Sequence, residues 1–198
     1  SPAEKPKPPP PPINPPSPEE GEEFKLWPHQ AAAVEVFLEK KAGILEMATG
    51  TGKTRAALTI IEKLVQSKSI DSAVITVTGT DLLAQWVGDL VGGGFAKSLP
   101  GDFLVYRHFG EHHQMANFAA GSKHSILVIS RRQLVNFFQL FPADRRSKTI
   151  LVHDEVHGMG EPGLRKSTHG EHRVFPYRLG LSATPDRAYD AEGNKFIE

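Results

Sequence analysis

The segment that most limits how this chain can fold is the glycine-rich run Ala48-Thr-Gly-Thr-Gly-Lys-Thr54, between a short apolar segment, residues 43–47, and a helical pattern over residues 53–66. Glycine tolerates positive φ, so the run can turn its backbone N–H groups inward onto phosphate oxygens. The following helix directs its positive end at the same anion. We therefore expect a nucleotide phosphate loop, in which Lys53 reaches the β- and γ-phosphates and the Thr54 hydroxyl ligates Mg²⁺.

The residues expected to bind the nucleotide through this loop are Thr49, Gly50, Thr51, Gly52, Lys53 and Thr54. The full pattern G-x-x-x-x-G-K-[ST] also has a glycine at the position that Met47 occupies here, so this chain departs from it at one position. A chance glycine-rich turn would not be expected to follow a strand and begin a helix.

The rest of the chain alternates between two patterns. Strand-like segments rich in β-branched residues cover residues 73–77, 103–106, 125–129, 149–152 and 178–182. Helical patterns cover residues 29–41, 53–66, 81–90 and 133–140. Strands that alternate with helices indicate βαβ units, so we expect an α/β fold with a mostly parallel sheet and helices on both faces.

A pair of acids ends one of these strands, Ile150-Leu-Val-His-Asp-Glu155. A parallel strand would deliver Asp154 to the Mg²⁺ beside the phosphate loop, and Glu155 could polarise an attacking water. Hydrolysis of a γ-phosphoryl group depends mainly on positioning and charge neutralisation, so this small set of groups suffices. An isolated acidic pair is more often a solvated strand end, and the phosphate loop upstream is what favours a catalytic role.

Proline divides the chain, because eleven of its 16 prolines lie within residues 1–28. Proline fixes φ and lacks a hydrogen-bond donor, so residues 1–23 are expected to form a disordered, polyproline-type linker. The linker is either a tether or a docking segment for a proline-binding partner. Residues 24–198 are expected to form the folded domain.

Composition excludes several classes of protein. The 23 Lys and Arg balance the 23 Asp and Glu, which argues against a uniformly basic nucleic-acid coat. The chain has no cysteine and hence no disulfide scaffold, and no apolar stretch reaches the ~18 residues of a membrane span. Its first residues lack the apolar core of a signal peptide. We expect no structural metal site, because six histidines are expected to be solvated loop residues: His108, His112, His113, His124, His169 and His172.

Three motifs follow one another along the chain: Thr49-Gly-Thr-Gly-Lys-Thr54, Asp154-Glu-Val-His157 and Ser182-Ala-Thr184. They resemble motifs I, II and III of superfamily 2 helicases and translocases, over about residues 27–187. Residues 46–54 and 178–187 resemble the branch that holds XPB-type helicases and restriction-enzyme motor subunits. The resemblance implies a RecA-like, ATP-binding first motor domain. The second motor domain, which would contribute an arginine finger, is not in this chain.

The resemblance also implies roles for single residues. Gln30, in Trp27-Pro-His-Gln30, would read the adenine edge, since an amide both donates and accepts hydrogen bonds. His157 of the DEVH box would join Lys53, Asp154 and Glu155 as a catalytic residue. Coupling of the nucleotide state to domain motion would fall to Ser182, Ala183 and Thr184.

Two further segments resemble contacts to a nucleic-acid strand. Residues 77–86 resemble motif Ia, although Thr78 and Gly79 replace its usual proline. A second segment after the strand 125–129 lies near motif Ib. The residues expected to touch backbone phosphates are Thr78, Gly79, Thr80, Arg131 and Arg132. The two arginines could equally belong to a solvated helix start.

The implied protein is an ATP-dependent helicase or translocase that uses ATP and Mg²⁺, and this fragment alone is expected to be weakly active or inactive. Its partners would be a nucleic acid, with DNA favoured over RNA, and a second RecA-like domain. Its location would be intracellular, in the cytoplasm of a bacterium or the nucleus of a eukaryote. Two alternatives stay open: a non-catalytic nucleotide-sensing scaffold and a phosphate-loop kinase for a small molecule.

Overall fold

The computed structural model describes residues 26–48, 52–92, 99–100, 103–121, 124–156 and 170–183. Its strands are β1 Ala42–Glu46, β2 Ser72–Val77, β3 Leu104–Phe109, β4 His112–His113, β5 Ser125–Ser130, β6 Thr149–Asp154 and β7 Tyr177–Ser182. Its α-helices are α1 Pro28–Lys40, α2 Lys53–Gln66, α3 Thr80–Val91, α4 Met115–Ala120, α5 Leu134–Leu140 and α6 Ala143–Arg146. Two 3₁₀-helices cover Arg131–Gln133 and Glu171–Val174.

These strands form one sheet in the order β1-β7-β6-β2-β5-β3-β4. Every neighbouring pair is parallel except β3 with β4, which form a short antiparallel hairpin. Strand β1 precedes the phosphate loop and β6 carries the acidic pair, and these two strands are separated by β7 alone. Parallel strands place their carboxyl ends at a common edge, where open α/β sheets bind ligands.

Side chains from alternate positions of each central strand enter two separate apolar clusters, one on each face of the sheet. On β6, for example, Ile150 and Val152 belong to the cluster that includes buried residues of α1, α2 and α3, whereas Leu151 belongs to the other. The second cluster contains buried residues of α4 and α5. Two covered faces explain why β2 and β6 are buried along their whole length.

The predicted α/β fold, with a mostly parallel sheet covered on both faces, is confirmed. Helix α2 has the predicted bounds. Strands β2, β5, β6 and β7 extend one or two residues further than predicted, and β3 ends three residues later. The patterns missed β4, α4 and α6, which are all six residues or shorter. Short elements give little periodicity to recognise.

The expectation that the histidines are solvated loop residues is wrong for His172. Its side chain is buried within the 3₁₀-helix Glu171–Val174, and its ring centroid lies 5.2 Å from that of Phe138 and 5.1 Å from that of His153. His108, His112 and His113 lie on β3 and β4 rather than in a loop. Among the described helices, none has the length and apolar character needed to cross a membrane.

Candidate nucleotide site and polar pocket

The carboxyl ends of β1, β7 and β6 lie side by side and bring the three predicted motifs to one edge of the sheet. Glu46 pairs with Ser182 in register, and Leu181 pairs with Asp154. The Met47 N–H donates to the Ser182 carbonyl over 3.1 Å, which continues the β1–β7 pairing by one residue. The φ of Met47 is negative, so this position does not require the glycine of the common pattern.

Gly52, the described residue between the phosphate loop and α2, has a left-handed backbone conformation. Gly52 precedes α2 with φ 83°, a left-handed conformation that glycine adopts without strain. The first turn of α2 carries no acidic residue, and Gly52 has no side chain to cap the helix. The amide groups of this first turn are thus suited to a negatively charged ligand. Thr49, Gly50 and Thr51 lie outside the described residues.

Gln30 contacts this loop, although it comes from α1. Its side chain is buried, and a Cβ atom added to Gly52 would lie 2.2 Å from Gln30 Nε2. Gln30 Oε1 accepts a hydrogen bond of 2.9 Å from the Trp27 N–H at the start of α1. The capping bond fixes the rotamer of Gln30, so the amide group is held against Gly52.

The acidic pair forms a tightly hydrogen-bonded corner at the end of β6. Asp154 is 7 % exposed, and its two carboxylate oxygens accept different hydrogen bonds. Oδ1 accepts from the Glu155 backbone N–H at 2.9 Å, and Oδ2 accepts from the indole N–H of Trp86, on α3, at 2.8 Å. Glu155 has φ 53°, an unfavourable conformation for a residue with a Cβ atom.

Arg131, which directly follows β5, stabilises this corner from two strands away in the sheet. Its guanidinium donates to the backbone carbonyl of Asp154 and, over 3.0 Å, to that of Glu155. Arg131 is 6 % exposed, whereas Arg132 is exposed. The predicted pair of phosphate contacts is thus divided: Arg131 binds main-chain carbonyls of the acidic corner, and Arg132 has its side chain in solvent.

Lys53 and Glu155 form the ion pair that joins the two motifs. Lys53 Nζ lies 3.5 Å from Glu155 Oε1, with the side chains 11 % and 29 % exposed. Residues that are 102 positions apart in the sequence are therefore brought into contact by the order of the strands. The cation predicted to bind phosphate and the carboxylate predicted to act on water share one small site.

A polar pocket of about 290 Å³ opens at the same edge of the sheet, beyond β6. It is lined by Thr78, Gly79, Thr80, Leu83, Phe109, Gly110, Ser130, Arg131 and Arg132. All five residues predicted to contact a nucleic-acid strand are thus in one pocket. Gly79 has φ 99°, a conformation that proline cannot adopt. The backbone at Gly79 is therefore incompatible with the proline that is common in motif Ia.

Beneath the acidic corner, two histidines lie on the opposite face of the sheet. His153 is fully buried, and its Nδ1 lies 2.6 Å from the Thr76 hydroxyl oxygen. Burial lowers the pKa of His153 well below its ordinary value of 6.5, and the neighbouring His172 and Arg131 lower it further. The neutral imidazole is therefore the form that the fold favours.

The residues present fit Mg²⁺, which the motifs imply as a cofactor. The Thr54 hydroxyl and the Asp154 carboxylate are hard oxygen donors, the type that Mg²⁺ prefers. Within the described ranges no three His, Asp or Glu side chains converge to hold a cation by themselves. This arrangement is expected where nucleotide phosphates and water complete the coordination.

Fold and site together define a RecA-like α/β domain of the superfamily 2 type, in agreement with the resemblance noted in the sequence. Residues 23–187 match the family described as type III restriction enzyme, res subunit, and the chain belongs to that family.

Similar proteins agree with this assignment. A relative named DNA 3'-5' translocase XPB2, from Sulfurisphaera tokodaii, is 29 % identical over 176 residues, which cover 84 % of this chain and 32 % of the relative. The UvsW helicase of bacteriophage T4 matches with a TM-score of 0.65 at 15 % identity, over 86 % of this chain and 56 % of that one. The Sulfolobus solfataricus SWI2/SNF2 ATPase core, solved with dsDNA, gives 0.65 at 17 % identity, over 88 % and 36 %. The chain spans about a third of the length of the first relative.

Two residues of the site could not be assigned from the sequence. Trp86 lies within the apolar pattern of α3 and was recognisable only as part of motif Ia, while its bond to Asp154 depends on how α3 packs on the sheet. Phe109 reaches the pocket through the β3–β4 hairpin, which no pattern predicted. His157 and Thr184 lie outside the described residues, whereas Ser182 and Ala183 lie at the end of β7 as predicted.

Proposed function

We propose that this chain is the ATP-binding first motor domain of an ATP-dependent DNA helicase or translocase, in which hydrolysis takes place at an interface with a second RecA-like domain. The Lys53–Glu155 ion pair, beside the Gln30–Gly52 contact, is the observation that carries this proposal. It brings residues of three expected roles, for adenine, phosphate and water, to one edge of the sheet. The membership of the family and its translocase relatives support the same function.

Nucleotide binding would exchange one ion pair for another. In the structure, Lys53 Nζ lies 3.5 Å from a Glu155 carboxylate oxygen, so the two opposite charges partly offset each other. A triphosphate carries several negative charges and would attract Lys53 away from Glu155, because charge-assisted bonds to phosphate are strong. Glu155 could then accept a proton from water.

Asp154 and Thr54 are the residues that we propose to hold Mg²⁺. When bound, Mg²⁺ neutralises charge that develops on the β- and γ-phosphate oxygens. Asp154 keeps unused lone pairs, because each carboxylate oxygen accepts only one of the hydrogen bonds described above. The left-handed backbone of Glu155, fixed by Arg131, directs the second carboxylate toward Lys53 and the phosphate loop.

The polar pocket is the proposed contact for the sugar–phosphate backbone of DNA. Hydroxyls, backbone amides at the start of α3 and the exposed Arg132 can bind phosphate oxygens without reading bases. Phe109, from the β3–β4 hairpin, adds an apolar surface to the same pocket. A relative named as a DNA translocase supports DNA as the nucleic acid.

The substitution Lys53→Ala tests the nucleotide site. It should weaken ATP binding by about ten- to a hundredfold, since a bond to a charged group contributes roughly 1.5–3 kcal/mol. Isothermal titration calorimetry with a non-hydrolysable ATP analogue measures this loss. Lys63→Ala is the matched control, because Lys63 lies on the same helix in an exposed ion pair with Glu35. Equal affinities of Lys53→Ala and Lys63→Ala would refute the phosphate-loop assignment.

A further inference from the structure

Trp86 has an unusual partner for a buried tryptophan. Its side chain is 2 % exposed within the apolar cluster that includes residues of α1, α2 and α3, and its indole N–H donates to Asp154 Oδ2 over 2.8 Å. A buried indole N–H needs an acceptor, but a main-chain carbonyl would satisfy it equally well. Here the acceptor is the carboxylate that we assign to Mg²⁺.

The hydrogen bond from Trp86 restricts rotation of the Asp154 carboxylate, which the bond from the Glu155 backbone alone would leave possible. Glu155 N–H fixes Oδ1 of Asp154, and Trp86 fixes Oδ2 from a different secondary-structure element. With both oxygens held, the plane of the carboxylate is set and the remaining lone pairs have fixed directions. Hydrogen-bond partners of a metal-binding carboxylate typically contribute ten- to a hundredfold to metal affinity.

The same helix begins at the polar pocket. Thr80, the first residue of α3, lines the pocket, and Trp86 follows six residues later. At 1.5 Å per residue, the two positions are about 9 Å apart along the helix axis. Because a helix of this length moves as a rigid rod, its contact with the pocket and its contact with Asp154 cannot shift independently.

We propose that Trp86 is a positioning residue for the metal-binding carboxylate of Asp154, and that it links this carboxylate to the helix that begins at the polar pocket. The proposal rests on the proposed nucleotide site. It assigns to Trp86 an effect on Mg²⁺ dependence, whereas a purely structural role in the core would affect stability alone.

Trp86→Phe tests this role because phenylalanine retains an aromatic ring but has no N–H donor. The Mg²⁺ concentration that gives half-maximal binding of a fluorescent ATP analogue should rise by about ten- to a hundredfold. Analogue affinity in the presence of EDTA should stay within about twofold of the original chain. Trp27→Phe, the same change at a half-exposed position, is the matched control. In an Asp154→Asn background, Trp86→Phe should cause no additional change, because its effect acts through that carboxylate.

A second measurement leaves Trp86 in place. The chain has two tryptophans, so Trp27→Phe produces a protein whose tryptophan emission comes from Trp86 alone. Adding Mg²⁺ to the nucleotide complex should shift this emission, and Asp154→Asn should abolish the shift.

An unchanged Mg²⁺ midpoint in Trp86→Phe, or a Trp86 emission that ignores Mg²⁺ while nucleotide still binds, would overturn the positioning role and leave the nucleotide site standing. Absence of nucleotide binding by the unsubstituted chain would instead overturn the proposed function, and the positioning role with it.

Discussion

At the scale of single residues, the corner formed by Asp154 and Glu155 shows how the chain holds an unfavourable conformation. A left-handed non-glycine residue costs of order 1–3 kcal/mol. The cost is offset by the hydrogen bonds that Arg131 and the Asp154 carboxylate make around Glu155. The surrounding structure therefore fixes the backbone of Glu155, the residue that we propose to accept a proton from the attacking water.

His153, beneath this corner, should make the folding stability of the domain depend on pH. Because its pKa is lowered in the folded state, the unfolded chain binds more protons below pH 6.5, and folding stability should decrease as the pH falls. The contribution of one such group is at most about 1.4 kcal/mol per pH unit. Urea unfolding of the original chain and of His153→Asn, from pH 8 to pH 5, measures it. The difference in unfolding free energy should be constant above pH 7 and should narrow in acid. If the unfolding free energies of the two proteins changed in parallel from pH 8 to pH 5, the lowered pKa of His153 would be contradicted.

At the scale of elements, α6 is a short helix with a large structural role. Arg145 donates from Nη1 to the carbonyls of Phe118, Ala119 and Gly121, which satisfies the carboxyl end of α4. Its guanidinium carbon also lies 5.3 Å from the ring centroid of Phe118. Arg146 donates in the same way to the carbonyl of Phe138, near the end of α5. Two adjacent arginines thus cap two helices that cover one face of the sheet.

Arg145→Leu should therefore destabilise the domain by about 2–4 kcal/mol, because several helix-end carbonyls lose a charged donor at once. Chemical denaturation gives this value, and Arg132→Leu, at an exposed position, serves as the control. Nucleotide affinity should stay unchanged, since α6 contributes no residue to the nucleotide site. A loss below 0.5 kcal/mol would show that these carbonyls are satisfied without Arg145.

The contrast between α2 and α6 shows what the sequence could and could not predict. The bounds of α2 followed from its periodic apolar face and from the glycine before it, both of which are local signals. The role of α6 depends on carbonyls more than 20 residues away, which no local pattern reveals. The nucleotide site divides in the same way: Lys53 and Asp154 were predictable from motifs, whereas the contacts of Trp86 and Arg131 depend on packing across the sheet.

At the scale of the whole molecule, the proposed function places the hydrolytic site between two domains. An arginine finger from a second domain would be worth about 10³–10⁵ in rate. The 198-residue chain should therefore bind ATP but hydrolyse it slowly, with or without DNA. A coupled ATPase assay that compares it with a longer chain carrying a second RecA-like domain measures the difference. Turnover by the short chain within tenfold of the longer one would contradict hydrolysis at a domain interface.

The position of β7 between β1 and β6 restricts how Ser182 could respond to the nucleotide. This strand is paired with β1 along one edge and with β6 along the other, so any sliding along its axis would break both ladders at once. Such a shear would be far costlier than turning a side chain. If Ser182 responds to the nucleotide, we therefore expect its side chain to rotate at the end of β7 while the strand itself stays in place. The sheet should keep the same conformation whichever nucleotide is bound.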